Sequence, residues 1–168
     1  DLNSDPGPLP DGAICDRCGD TLGGDLITQG TTDEAGHGTL PGVPSGANIP
    51  LVIKSGKWRR QITIPNVGQC TDNTLAAADT SLPKDRTEGD IPKIALTTGN
   101  ADSLECLIHK LGIADSEITN GTGGGRINFY KGNGVGGFNG TWAGGANQTF
   151  TDARNFWNDV NNLKPYDI

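Results

Sequence analysis

Residues 51–64, "LVIKSGKWRRQITI", decide how the first half of the chain reads. Two β-prone runs flank a short polar break, the pattern of an antiparallel hairpin. With Ser55-Gly56 as a two-residue loop, Lys54 pairs with Lys57, Ile53 with Trp58 and Leu51 with Arg60. Alternation then places Trp58, Arg60, Ile62 and Ile64 on one side and Lys57, Arg59, Gln61 and Thr63 on the other. Ile53, Trp58, Ile62 and Ile64 are expected to face a core, and Lys57 and Arg59 to face water. Arg60 lies on the apolar side, where its stem can snorkel or its guanidinium can stack on a ring. Lys54, Lys57, Trp58, Arg59 and Arg60 thus form a basic tip in a chain of net charge −7. Two readings stand: a contact for an acidic polymer or subunit, or charge that protects a sheet edge from aggregation.

Working outward, "DLITQGTT" (25–32), "HGTL" (37–40) and the hairpin are short strand-like runs. They are separated by "DEAG" and "PGVPSGAN". This spacing predicts an antiparallel β-sandwich over 15–67, after an extended segment 1–14 and before a linker 68–90. From 91 the pattern changes. "IPKIALTTG" reads as a buried parallel strand, and "ADSLECLIHKLG" as a helix with Leu104, Leu107, Ile108 and Leu111 on one face. Asp102 and Glu105 resemble a capping box, and Gly112 is the stop. "GRINFYKG" is a second strand. "TDARNFWNDVNNLKP" is a second helix, with Ala153, Phe156, Trp157 and Val160 on one face. "YDI" (166–168) opens a third strand. The fold expected is α+β overall: a β-sandwich followed by an incomplete βαβα three-layer unit over 91–168.

Composition narrows the function. The acidic excess, 20 Asp+Glu against 13 Lys+Arg, argues against a nucleic-acid partner. No apolar run is long enough for a transmembrane helix. The absence of methionine suggests a processed product. With four cysteines, it points to a secreted, periplasmic or surface protein. Cys15, Cys18, Cys70 and Cys106 are read as two disulfides, preferably Cys15–Cys18 and Cys70–Cys106. A four-cysteine zinc site and free or redox-active thiols are the alternatives.

Asp1, Asn3 and Asp5 alternate as in a calcium loop, but Pro6 stands where glycine belongs and no acid occupies the twelfth position. No other cofactor is indicated. The glycine-rich run 121–145 lacks a phosphate-loop signature. It reads as a surface loop whose Phe138 and Trp142 could stack on a sugar or a subunit. His37 and His109 are separate surface histidines, and no nucleophile elbow is present.

Thr32, Asp33, Gly36, Leu40, Val43, Pro44 and Gly46 resemble the T-D-x-x-G…V-P-x-G signature of carboxypeptidase regulatory-like (transthyretin-like) sandwich domains. Gly38 stands where that family carries an aromatic. The run 49–65, "IPLVIKSGKWRRQITIP", resembles a segment of secreted myxobacterial proteins with this domain. The resemblance implies a non-catalytic adhesive or scaffolding module. Residues 91–168 resemble the first part of a flavodoxin-like, glutamine-amidotransferase-like domain. Its catalytic cysteine follows a later strand, so Cys106 is not a match and no catalytic residue is assigned.

The function expected is an extracellular non-enzymatic binding, adhesion or scaffolding module of a larger protein. Its partner would be another protein, a surface polysaccharide, the remainder of its own polypeptide or another subunit. The alternative is an N-terminal fragment of a hydrolase or amidotransferase-like enzyme whose catalytic residues lie beyond Ile168.

Overall fold

The computed structural model describes residues 7, 9–13, 25–99, 104–121, 123–132 and 150–168. The hairpin consists of β1 (Gly46–Ser55) and β2 (Trp58–Val67), paired antiparallel. Its loop is Gly56-Lys57, one residue later than expected, so Lys54 faces Arg59, Ile53 faces Arg60 and Leu51 faces Ile62. Gly56 has φ +57°, and a two-residue turn with the positive φ first demands glycine there. Ser55 could not take that place without strain. Each partner moves by two residues, so the alternation of faces survives.

Arg59 exchanges both backbone hydrogen bonds with Asp90, N to O at 2.9 Å and O to N at 2.8 Å. Its peptide groups therefore point away from β1. By alternation those of Gln61, Thr63 and Pro65 do too, as do Lys54, Val52 and Pro50 on the opposite edge. Each edge thus has a proline where an outward N–H would invite another strand. Proline therefore protects both edges, beside the exposed Lys54 on the β1 edge.

The sandwich expected over 15–67 is not what forms: within 25–67, β1 and β2 are the strands present. Leu26 and Ile27 are exposed, so "DLITQGTT" supplies no second apolar face. The Asp33 carboxylate accepts from the N–H groups of Ala35 (2.9 Å) and His37 (2.8 Å), taking donors that a ladder would need.

The second half is a parallel sheet. It comprises β3 (Ile94–Thr98), β4 (Ile118–Asn120), β5 (Ile127–Lys131) and β6 (Thr151–Asp152). β5 is central: β3 pairs along its whole length, so β4 and β6 divide its other edge. On the far side of β3, Asp167 N donates to Lys93 O (2.8 Å) and Ala95 N to Ile168 O (2.9 Å). "YDI", expected to open a third strand, thus lies beside β3 through these two backbone hydrogen bonds without forming a strand of its own.

Alternation along the strands builds two cores. Ile94, Leu96, Ile118, Ile127 and Phe129 face Ile108 of α1 (Leu104–Lys110), with Trp58 of the hairpin packed on the same cluster. Ala95 and Tyr130 face Ala153 and Phe156 of α2 (Ala153–Trp157), and Tyr166. The helices therefore cover opposite faces of the sheet. Tyr130 stacks on Phe156 at 4.1 Å, and Phe156 meets Tyr166 edge-on at 5.3 Å. Such ring pairs add roughly 0.5–1.5 kcal/mol each beyond their buried area.

Both helices depart from expectation. Only Ile108 of the predicted α1 face is buried; Leu104, Leu107 and Leu111 are exposed. The second helix breaks at Asn158-Asp159 into α2 and α3 (Val160–Leu163) because Asp159 caps α3, accepting from Asn161 N at 2.8 Å. The break turns Trp157 and Val160 outward.

The glycines at 121–125 now have a structural purpose. β4 and β5 are parallel neighbours joined by residues 121–126 alone, where such pairs ordinarily need a crossover of a dozen residues or more. A Cβ at Gly125 would lie 2.3 Å from Glu117 O, and one at Gly123 would lie 2.4 Å from Thr119 Cβ. Asn128, at the loop's floor, donates to Thr119 Oγ1 (2.9 Å) and Gly125 O (3.1 Å) and accepts from Tyr166 OH (2.8 Å). That commits the Tyr166 proton, so Tyr130 OH is the donor in its 2.8 Å contact with Tyr166.

Two outcomes follow. Gly125→Ala should cost about 1–3 kcal/mol in chemical denaturation, as overpacking against backbone does. Gly124→Ala, with open space around it, should stay within about 0.5 kcal/mol; equal effects would refute the close-approach account. Burial pushes the Tyr166 phenol well above the ordinary tyrosine range. The fold favours the protonated form, so this contribution is intact below pH about 10 and lost as pH rises beyond it. In a tyrosinate absorbance titration Tyr166 should ionise only as the chain unfolds. A phenolate from both tyrosines with native circular dichroism would contradict this.

Candidate functional site

The basic tip does not face water. The Lys57 side chain is 9% exposed and that of Asp167 5%, with Nζ 2.5 Å from Asp167 Oδ1. Lys57 Nζ also donates to Gly12 O (2.6 Å) and Pro10 O (2.9 Å), which uses all three of its protons. The second Asp167 oxygen accepts from Lys93 N at 2.7 Å. Arg59 donates through Nε (2.8 Å) and a terminal nitrogen (2.5 Å) to Asp90 Oδ2, and to Gly7 O. Trp58 Nε1 donates to Pro83 O at 2.7 Å. Arg60 reaches Ser81 Oγ at 3.0 Å and the carbonyls of Ser81 and Ala78 at 3.3 Å. The expectation that Lys57 and Arg59 are solvated is therefore corrected. Two acids remote in sequence, Asp90 and Asp167, arrive on that side of the hairpin, and local alternation carries no information about them.

Around this junction lie groups that the sequence did not single out. Arg126, just before β5, donates to Ile91 O (2.7 Å) and Asp11 Oδ1 (2.7 Å). The hydrogen bond to Arg126 holds the Asp11 carboxyl below the usual range. Glu117 is 3% exposed, yet accepts from Arg86 N, Arg86 Nε and Arg126 N, each at 3.1 Å. These three donors satisfy a carboxylate that would otherwise be costly to bury. Lys57, Arg59, Arg86 and Arg126 thus meet Asp11, Asp90, Glu117 and Asp167, cation for carboxylate. A cleft of about 190 Å³ opens among them, lined by Pro10, Asp11, Lys57, Arg86, Asp90 and Arg126 among others. The one available signal was a lone acid in the apolar context of "YDI": a charge in a buried strand requires a partner.

The other sequence-based sites are not brought together. Lys54 is exposed beside the turn. Cys70 and Cys106 are exposed free thiols, so the expected bond between them is not formed. Cys70 sits in the turn after β2 at φ +54°, and Cys106 on the exposed part of α1. Cys15, Cys18, Asp1, Asn3, Asp5, Asp102, Phe138 and Trp142 lie outside the described residues. His109 Nδ1 is 3.2 Å from Asp115 Oδ1 on the surface, and His37 is paired locally with Asp33 at 3.7 Å. Among the described residues no group of three or more His, Cys, Asp or Glu is placed to hold a metal. None of their helices is long and apolar enough to cross a membrane.

No protein-family model matches the chain, and comparison with curated proteins and with solved structures returns no match.

Lys57→Ala should destabilise by about 3–5 kcal/mol, because it strands a buried carboxylate. Lys54→Ala should change stability by less than about 0.5 kcal/mol. A denaturation double-mutant cycle with Asp167→Asn should show strong coupling for Lys57 and none for Lys54; additivity at Lys57 would overturn the assignment.

Proposed function

We propose that this chain is a non-enzymatic binding or scaffolding module of a secreted or surface protein, and that it engages another polypeptide through apolar helix faces. The observation that carries this reading is the position of Leu104, Leu107 and Leu111 on one side of the sheet and of Trp157, Val160 and Leu163 on the other. All six are between 39% and 61% exposed. Apolar patches of this kind mark interaction surfaces. The partner is the remainder of its own polypeptide or another subunit. Secretion is supported by composition and by the sequence resemblance to secreted proteins with carboxypeptidase regulatory-like domains. A polysaccharide partner draws no support from Lys57 or Arg59, whose charges are paired internally. It rests on Lys54, Phe138 and Trp142.

A second reading is favoured by strand order. With the short strands β4 and β6 set aside, and β3 counted first, β5 second and the extended residues 166–168 third, the order across the sheet is second, first, third. Flavodoxin-like sheets begin in that order. This supports kinship with amidotransferase-like enzymes, whose catalytic residues would be supplied by later strands.

Native mass spectrometry of the protein from its source tests the main reading. The chain should be found within a longer polypeptide or a complex. Leu104, Leu107 and Leu111 changed together to Lys should release a complexed chain without lowering its melting temperature. Recovery of this chain alone as a stable monomer would refute the proposal.

A further inference from the structure

The segment 9–13 crosses the junction without joining either sheet, and its contacts have the form of a ligand in a groove. It contributes acceptors only. Pro10 O and Gly12 O accept from Lys57, and the Asp11 carboxylate between them accepts from Arg126. Gly7 O, just upstream, accepts from Arg59. The donors belong to the hairpin (Lys57 in its turn, Arg59 in β2) and to the residue entering β5, elements held in place by other contacts.

The carbonyls of Pro10 and Gly12 meet Lys57 while the intervening side chain meets Arg126, and the chain bends at Asp11 and Gly12 to do so. Proline suits that role, because it has no N–H to satisfy and little conformational freedom to lose. The third position is restricted as well. Gly12 has φ +94°, and a Cβ there would lie 2.5 Å from Lys164 O. What is recognised is therefore a triplet: a carbonyl, then a carboxylate flanked by a second carbonyl, with no side chain at the third residue.

We infer that this groove is a binding site for proline-bearing acidic peptides of the form Pro-Asp-Gly, bent at the Asp-Gly step, and that residues 10–12 are its intramolecular occupant. Nothing in the recognition requires the triplet to come from the same chain. The cleft beside it, bounded by Arg86, Gly89, Asp90 and Ile91, gives an incoming peptide room for flanking side chains. The tethered triplet competes at an effective concentration on the order of millimolar, so a partner's segment gains access as the resident one loosens. The groove's donors, Lys57, Arg59 and Arg126, belong to neither apolar helix face, although Gly12 abuts Lys164 at the end of α3.

The test uses the whole chain and a fluorescein-labelled peptide with the sequence of residues 5–13, "DPGPLPDGA". In a chain carrying Asp11→Ala and Gly12→Val, whose own triplet can no longer fit, the peptide should bind at least about tenfold tighter than it binds the unaltered chain. Peptides carrying either substitution should lose that binding, which separates recognition from general charge attraction. Should the altered chain not fold, peptide added to the unaltered chain should still shift the NMR signals of Lys57 and Arg126 and be displaced by unlabelled peptide. The inference fails if both chains bind the peptide equally, if neither responds at millimolar peptide, or if the substituted peptides bind as well as the parent.

Discussion

The buried carboxylate of Asp167 is the constraint on which the rest of the molecule depends. It draws the Lys57 ammonium from the hairpin turn, caps the N–H of Lys93 at the entrance to β3, and sits 3.8 Å from an Arg126 nitrogen at the entrance to β5. A carboxylate 5% exposed cannot remain charged without such partners. Its position therefore dictates where the hairpin sits. A two-stranded hairpin is marginal by itself, and among the described residues no second antiparallel sheet covers this one. Trp58 supplies apolar contact with the parallel sheet, while the ion pairs specify one docked orientation through directional bonds that a purely apolar contact would lack.

The hairpin, β3, β5 and the positions of the helices were legible because each rests on local alternation or helical spacing, whereas β4 and β6, three and two residues long, are too short to show a period. The turn was displaced by one residue because Ser-Gly and Gly-Lys both read as two-residue loops, and only the positive φ at Gly56 separates them. The sandwich failed for a different reason: motif residues such as Thr32, Asp33 and Gly36 specify a turn, and a turn can form without the second sheet. The helix faces were misjudged because period alone says which residues lie together. Whether anything covers Leu104 and Leu107 is a tertiary fact.

At the candidate site the local reading failed most fully. Lys57 and Arg59 alternate outward, as expected, but outward from the hairpin means toward the linker and the C-terminal residues. Asp90 is 31 residues from Arg59, and Asp167 is 110 from Lys57. Pairings at such separation leave no periodic trace. The same holds for Glu117, whose three donors converge from Arg86 and Arg126. The purpose of the glycines at 121–125, a tight parallel return, became evident only from Thr119 and Glu117 lying against them.

That return has a consequence for the order in which the chain can assemble. Parallel strand pairs usually enclose a long crossover, so their contacts are slow to find. β4 and β5 meet across six residues, and closing so short a loop takes well under a microsecond. The pair can therefore form before β3, α1 or the hairpin has found its place. Loop entropy grows with separation, so the contact between Lys57 and Asp167 closes one of the longest loops in the molecule and belongs to the last stage of folding. The same bond is then among the first lost on unfolding, and the molecule opens at the junction while the centre of the parallel sheet is still intact.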